Sequence, residues 1–406
     1  MSNQTGAAWI AVILAAVVIT SAANIAVWLH HTDGPVRLVS NAATVLALPV
    51  WIPLRPFNLA PSSIGPVGIV LVNALAATLW AAAGLTLLAA RQRLARPSSP
   101  ATAPAQDRTA DPSRRAFLTN SAAGVIGVGA VAAPGYAVMF EPSQLAVRRY
   151  EIFIRGLPAS LDGLRVVHFS DPHLGPRMPS AFIRRAVDEA VALKPDLVAL
   201  TGDYIHTGEA EIDAIAELLR PLVEAATIGA TGVLGNHDWY GNGPRMAAAL
   251  RGVGVRMIDN ASARIDLYSR TLRDEAAGPG LALVGLGDLS EDAVDPVRAF
   301  AGIDPGTPRL VLAHHPDTAE LAELRGPGSP RMDLMLSGHT HGGQVRIPFI
   351  GTPVVPSRFG QRYAGGLVAG PSCPVIVSRA VGMSVLPVRF GVPPEIGLII
   401  LRSVPR

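Results

Sequence analysis

Long uncharged runs dominate the first part of the chain and short apolar runs the second, so hydrophobic patterning alone divides it in two. Ala7 to Leu29 is 23 residues without a charge, enough for a helix to cross a hydrocarbon core of roughly 30 Å. Val67 to Ala90 is a second such run, stopped by Arg91, Arg93 and Arg96. Leu38 to Leu54 is shorter, carries Pro49 and Pro53, and is read as a further span. A membrane region is therefore expected over 1–96, with helices near 7–29, 38–54 and 67–90. Residues 97–113 lack an apolar period and are rich in Pro, Ala and Ser, which suits a cytoplasmic linker. Next comes Ser113-Arg114-Arg115-Ala116-Phe117-Leu118 and an uncharged stretch to Phe140. Residues 114–140 read either as a twin-arginine-like export signal or as an ordinary anchor helix flanked by cytoplasmic arginines. Either reading makes the region all-α, with three to four transmembrane helices. Six arginines between Arg91 and Arg115 place that loop in the cytoplasm and send the domain after Phe140 to the extracytoplasmic side.

From about Arg148 onward, short apolar runs alternate with amphipathic stretches and turn residues, predicting an α/β domain over 148–406. Strands are expected at 150–154, 164–170, 197–201, 230–234, 281–285, 309–313 and 334–336, and helices at 179–193, 209–219, 244–250 and 292–300. In the first helix Phe182, Ile183, Ala186, Val187, Ala190 and Leu193 recur at three- and four-residue intervals, one buried face. After Gly342 the pattern becomes Gly- and Pro-rich strand and loop.

Composition supports the division. Only 16% of the 406 residues are charged and mean hydropathy is +0.34, too apolar for a chain without a membrane part. The net charge of +3 comes with no basic cluster interleaved with aromatics, which argues against nucleic acid. Cys373 is the single cysteine, so any metal site must use His, Asp, Glu and Asn. The bias toward Arg, Ala, Gly and Pro suggests a GC-rich bacterial genome.

Chemistry appears where the apolar runs stop. Val166 to Ser170 leads into Asp171-Pro172-His173, and Leu197 to Thr201 into Gly202-Asp203. Gly235-Asn236-His237-Asp238, His314-His315 and Gly338-His339-Thr340-His341 follow the same rule. One such pair usually only caps a turn, but five in order place metal-type side chains at the carboxyl ends of successive strands, where open sheets collect ligands. Glycines directly before Asp203, Asn236 and His339 suit tight turns or close approach to a ligand.

This ordered set resembles the calcineurin-like metallophosphoesterase family across essentially 148–406. Gly338-His339-Thr340-His341-Gly342-Gly343-Gln344, with Pro387-Val388-Arg389-Phe390 and Pro394-Glu395-Ile396, is similar to its membrane-associated bacterial phosphodiesterase branch, related to UDP-2,3-diacylglucosamine pyrophosphate hydrolases. The resemblance implies a four-layer α/β/β/α sandwich with two divalent ions. It implies that Asp171, His173 and His341 hold one ion, Asn236, His314 and His339 the other, and that Asp203 bridges them. Imidazole, carboxylate and amide oxygen together suit Mn, Fe or Zn. Two ions so held activate a water and neutralise a phosphoryl group during in-line attack. By the same resemblance His237 protonates the leaving oxygen and Asp238 orients its imidazole. The chain departs from the family at His206, where many members carry Asp or Arg three residues after the bridging Asp; that bears on substrate preference. His206 is expected to be a partly exposed loop residue, His315 and His168 structural. Arg346, Arg358, Arg362, Arg379 and Arg389 include candidates for phosphate contact, none selected.

The leading expectation is a membrane-tethered, multi-pass bacterial cell-membrane enzyme with an extracytoplasmic catalytic domain, hydrolysing phosphodiester or related bonds with metal-activated hydroxide. A lipid- or envelope-linked phosphate ester is the substrate class that tethering favours. A broad-specificity phosphomonoesterase would use the same ligands. A non-catalytic ligand-binding membrane sensor would be expected to lack some of them.

Overall fold

A computed structural model of the chain describes residues 136–274, 277–384 and 386–404. The segments 7–29, 38–54 and 67–90, the linker 97–113 and the stretch 114–135 lie outside the described residues. Among those described, no helix is long and apolar enough to cross a membrane.

Two sheets form the domain. The first has the order β1-β13-β2-β3-β4-β5, comprising Ala146–Ile154, Glu395–Ser403, Leu164–Phe169, Leu197–Leu200, Gly229–Gly232 and Val255–Met257. The second has the order β11-β12-β10-β9-β8-β6-β7, comprising Gly366–Ala369, Pro374–Val377, Leu334–Ser337, Arg309–Leu312, Gly280–Gly285, Ala261–Asp266 and Leu272–Arg273. Both are mixed. Neighbours β2 to β5 are parallel, as are β8, β9, β10 and β12, while β13 runs antiparallel to β2, β6 to β8 and β11 to β12.

Central strands such as Leu197–Leu200 and Arg309–Leu312 are buried at every residue, the continuous apolar run expected of strands covered on both faces. Val166, Leu197, Ile399, Leu283, Leu312 and Leu336 belong to one core shared by both sheets. A second core covers the other face of the first sheet with helices α1 (Ser180–Ala192), α2 (Ile212–Ala225) and α4 (Gly243–Gly252), α3 being the short Asn236–Gly241. On the far face of the second sheet a third core packs α5 (Pro296–Ala299) and 3-10 turns.

All seven expected strands and four expected helices are present, with shifted ends. The helix expected at 209–219 begins at Ile212 and runs through Pro221 to Ala225, because Leu218, Leu219, Leu222 and Val223 are all buried and packing overrides the proline. The helix expected at 292–300 shrinks to 296–299, since Pro296 opens it and the Asp295 carboxylate caps it by accepting from the Arg298 N–H. Buried Ile183, Ala186, Val187 and Ala190 confirm the face read from α1.

Candidate metal centre

Every ligand candidate lies just past the carboxyl end of a central strand: Asp171 and His173 after β2, Asp203 after β3, Asn236 after β4, His314 after β9, His339 and His341 after β10. Five of these seven, Asp171, His173, Asp203, His339 and His341, have φ between 50° and 68°, a region that non-glycine residues rarely occupy and that concentrates at functional sites. The glycines make the approach possible. A Cβ at Gly338 would lie 2.1 Å from Asp171 Oδ2, one at Gly235 2.3 Å from Asp203 Oδ1, and one at Gly202 2.4 Å from the Gly235 nitrogen.

The side chains converge in two groups. In one, His173 Nε2 lies 3.0 Å from His341 Nε2 and 4.0 Å from Asp171 Oδ1, and His341 Nε2 is 3.4 Å from that same oxygen. In the other, His339 Nδ1 and His314 Nε2 lie 3.1 and 3.2 Å from Asn236 Oδ1 and 3.2 Å from each other. Asp203 Oδ2 joins them, 3.4 Å from His173 Nε2 and 3.2 Å from His314 Nε2. Lone pairs meeting with so few protons between them could hold a cation by chemistry as well as by spacing.

Electrostatics agrees. Burial alone would raise Asp203, but His314, its hydrogen bond and His173 hold the carboxyl well below its ordinary range. Burial likewise opposes ionisation of Asp171, and His341 and His314 outweigh it. Burial keeps the His173 and His339 imidazoles well below the usual histidine value, in the neutral form that binds metal. His314 is the exception: burial is overcome by Asp203, which raises it, so the pair holds a proton that a cation would displace.

Supporting contacts orient these groups. His314 Nδ1–H donates to the Thr201 carbonyl at 2.7 Å, leaving Nε2 for the centre. Ser170 donates to Asp171 Oδ2 at 2.5 Å, Thr201 donates to Ser170 at 2.5 Å, and His168 Nε2 contacts the Thr201 hydroxyl at 2.8 Å. With that hydroxyl proton already given to Ser170, His168 must be the donor. The expected core histidine is therefore the buried end of a chain that fixes the Asp171 carboxylate. His315, read as structural, packs its ring 3.5 Å from the His339 ring and lies 3.4 Å from Asp288 Oδ2. Ser170, Thr201 and Asp288 escaped sequence reasoning, although the first two directly precede motif residues.

One expected role changes. Asp238 does not orient His237: its carboxylate accepts the backbone N–H groups of Asp203, Tyr204 and Gly235 at 2.8 to 2.9 Å. Starting α3 at Asn236 turns this carboxylate back onto the loop after β3. His237 Nδ1–H instead donates to the His206 carbonyl, and the His237 N–H donates to Asp203 Oδ1 at 2.8 Å. His206 thus belongs to the site's edge, its ring 5.2 Å from that of His237 and its Nε2 2.7 Å from Arg177 Nη1.

Among the arginines, Arg389 is fully buried with its guanidinium on the carbonyls of Arg379, Ala380, Gly382 and Val392. It shapes the loop whose Val381 and Gly382 N–H groups bond Ser170 and Asp171. Arg379 lies 3.6 Å from Glu395 and Arg362 2.9 Å from Glu320. Arg346 and Arg358 are exposed.

Residues 164–343 match the calcineurin-like phosphoesterase family. The chain is 31% identical over 297 residues to the uncharacterized metallophosphoesterase YkuE of Bacillus subtilis, covering 72% of this chain and 98% of that protein. Against the phosphodiesterase YaeI of Escherichia coli it is 31% identical over 292 residues, 71% of this chain and 98% of the relative. To the UDP-2,3-diacylglucosamine pyrophosphatase LpxG of Chlamydia trachomatis it is 28% identical over 255 residues, 53% and 74% respectively.

Proposed function

Because the chain belongs to the calcineurin-like phosphoesterase family of metal-dependent phosphoric ester hydrolases, we propose that it is a membrane-tethered phosphodiesterase whose seven clustered side chains hold two divalent ions. One observation carries this reading: Asp203 Oδ2 faces His173 Nε2 at 3.4 Å and His314 Nε2 at 3.2 Å, so a single oxygen serves both groups. Asp171, His173 and His341 would hold one ion, Asn236, His314 and His339 the other, with Asp203 shared. Mn, Fe and Zn suit the donor set. When bound, such ions supply the charge that neutralises phosphoryl oxygens and makes water acidic enough to attack at neutral pH.

The chain's own residues do the rest. Ser170, Thr201 and His168 hold the Asp171 carboxylate in one rotamer. The His206 carbonyl takes the His237 Nδ1–H, which fixes the ring and leaves Nε2 as the atom that, in the imidazolium form, would give its proton to the leaving oxygen. Asp238 gathers the backbone on either side of Asp203 and so fixes the shared carboxylate. The relative named a phosphodiesterase favours a diester. The relative named for a diacylated sugar pyrophosphate favours a lipid- or envelope-linked one. Uncharged runs at 7–29, 38–54 and 67–90 support a tether in the bacterial cell membrane, and the arginines at 91–115 support an extracytoplasmic domain.

Full-length protein in detergent, stripped of metal and reloaded with Mn, Fe(II) or Zn, should hydrolyse bis(p-nitrophenyl) phosphate, and Asp203→Asn should lose both turnover and metal. A folded chain that binds no metal would overturn the assignment. Preference for p-nitrophenyl phosphate over the diester would replace the diesterase with a monoesterase.

A further inference from the structure

The end of the sheets that carries the ligand loops also carries the most apolar part of the surface. Strands β1 and β13 begin side by side, Ala146 opposite Glu395, and Gly397 lies opposite His168 near the end of β2. Segments entering β1 and β13 therefore sit at the site end. The stretch after the His-x-His motif joins them: Val345 bridges Phe390, the Arg346 N–H donates to the Phe390 carbonyl at 2.6 Å, and the Gly391 N–H donates to Glu141 at 2.9 Å. Tyr136, Pro348 and Phe390 line a groove of about 530 Å³ with Arg346.

Eight of the fourteen large apolar side chains that are exposed among the described residues fall in two short segments, 136–140 and 349–359, so the exposure is concentrated rather than scattered. Met139 and Phe140 are 68% and 56% exposed, Phe349 and Ile350 fully and 65% exposed. Ile347 and Gly351 pair to close a turn with Pro348, Phe349 and Ile350 at its tip. Phe349 has φ of 67°, unfavourable for an aromatic residue, and its ring stands outward. Tyr136 directly continues the uncharged stretch that begins after Arg115.

We infer that this face docks on a lipid bilayer. Phe349 and Ile350 enter the acyl boundary, Phe140 and Met139 lie beside them, and Arg346 meets anionic headgroups. The inference rests on the membrane tether proposed above: Tyr136, on which the uncharged stretch runs out, lines the same groove as Pro348, so a tether ahead of it and the tip would act as two anchors. The metal-ligating loops then open at the lipid surface, and the substrate class is an amphiphilic phosphate ester presented by the membrane. A second copy of the chain would also cover apolar surface, but would not explain why half of the patch is residues 136–140, on which the uncharged stretch runs out.

The test uses the full chain with one added cysteine, Phe349→Cys or Tyr268→Cys; Cys373 is buried and does not compete. Tyr268 is 84% exposed and lies at the opposite end, since Asp266 pairs with Gly280 where β8 begins. Each variant carries an environment-sensitive fluorophore in vesicles of phosphatidylcholine and phosphatidylglycerol. Spin-labelled lipid should quench most of the emission at 349 and leave 268 unchanged. Equal response at both positions, with the chain resisting carbonate extraction, would overturn the docking face while sparing the tether. Release by carbonate would instead sink the tether. Shielding at 349 that rises with protein concentration in detergent would assign the face to self-association and overturn lipid docking. Phe349→Asp should abolish the advantage of a vesicle-embedded phosphodiester while leaving hydrolysis of soluble bis(p-nitrophenyl) phosphate unchanged.

Discussion

Gly338→Ala isolates the closeness of the ligand loops from every other feature of the site. Gly338 does not adopt a left-handed φ, so alanine meets no backbone penalty there. Its Cβ would instead lie 2.1 Å from Asp171 Oδ2 and 2.2 Å from Ser170 Oγ. Ordinary contacts of that kind begin near 3 Å, so the carboxylate, the hydroxyl or the β10 loop must move by roughly 1 Å. Overpacking of this degree costs about 1–3 kcal/mol of stability. A shift of 1 Å in a reacting constellation costs about 100-fold in rate. The expected variant is folded, melts lower, binds less metal by elemental analysis and turns over bis(p-nitrophenyl) phosphate about 100-fold more slowly. Gly306→Ala, where a Cβ meets nothing within 4 Å, should match wild type in all three. Wild-type metal content and rate in Gly338→Ala would refute the claim that close packing positions Asp171.

His237→Ala and Asp238→Ala should separate chemistry from construction. The first should lower kcat by about 100-fold or more with metal content and melting unchanged; the second, by orphaning three buried N–H groups, should destabilise the fold by several kcal/mol, on the order of 1–3 per group, and lose metal. Burial pushes His168 down to about 4, with Asp171 opposing. The unfolded chain therefore takes up this proton first, and stability from the neutral histidine, fully present above pH 6.5, should be lost as pH falls toward 4. The stability difference between wild type and His168→Gln should shrink by about 3 kcal/mol across that window in denaturant titrations; a pH-independent difference would contradict it. Burial also pushes the Cys373 thiol up to about 12, so a disulfide reagent at pH 8 should modify it only after unfolding, and rapid reaction with native protein would show the site to be open.

How much could be read in advance depended on whether a feature left a local pattern. The clustering of the seven candidate positions was legible because each follows a run such as Val166–Phe169 or Leu334–Leu336 that is buried on both faces, so strand end and metal-type side chain coincide in sequence. Strands β5, β6 and β7 were not. Val255–Met257 and Leu272–Arg273 are too short to show a period, and Ala261–Asp266, next to the short edge strand β7, mixes polar and apolar residues. Only a general strand-and-loop texture was visible after Gly342, where the nine-residue β13 crosses between β1 and β2. The role of Asp238 was carried over from the resemblance, whereas the helix beginning at Asn236 aims its carboxylate at the preceding loop. Arg389 was one of five arginines among which charge alone selected no phosphate contact. Its complete burial against four carbonyls makes it a structural brace.

The distribution of glycine explains why the site is both recognisable and strained. Rules of backbone preference would put glycine at the left-handed positions themselves, yet Asp171, His173, Asp203, His339 and His341 stand there with side chains. In the proposed metal site each must keep its donor atom, so the backbone strain, of order 1–3 kcal/mol per residue, cannot be relieved by losing the side chain. Glycine instead occupies the neighbouring positions 202, 235 and 338, where the loops would otherwise collide. This division requires the strands beneath to hold the turns rigidly, which Val166–Phe169 of β2 and the whole of β3, β9 and β10, all buried, do. Rigid strands carry the turns, glycines make room between them, and the remaining strain is concentrated on the atoms that a metal would draw together.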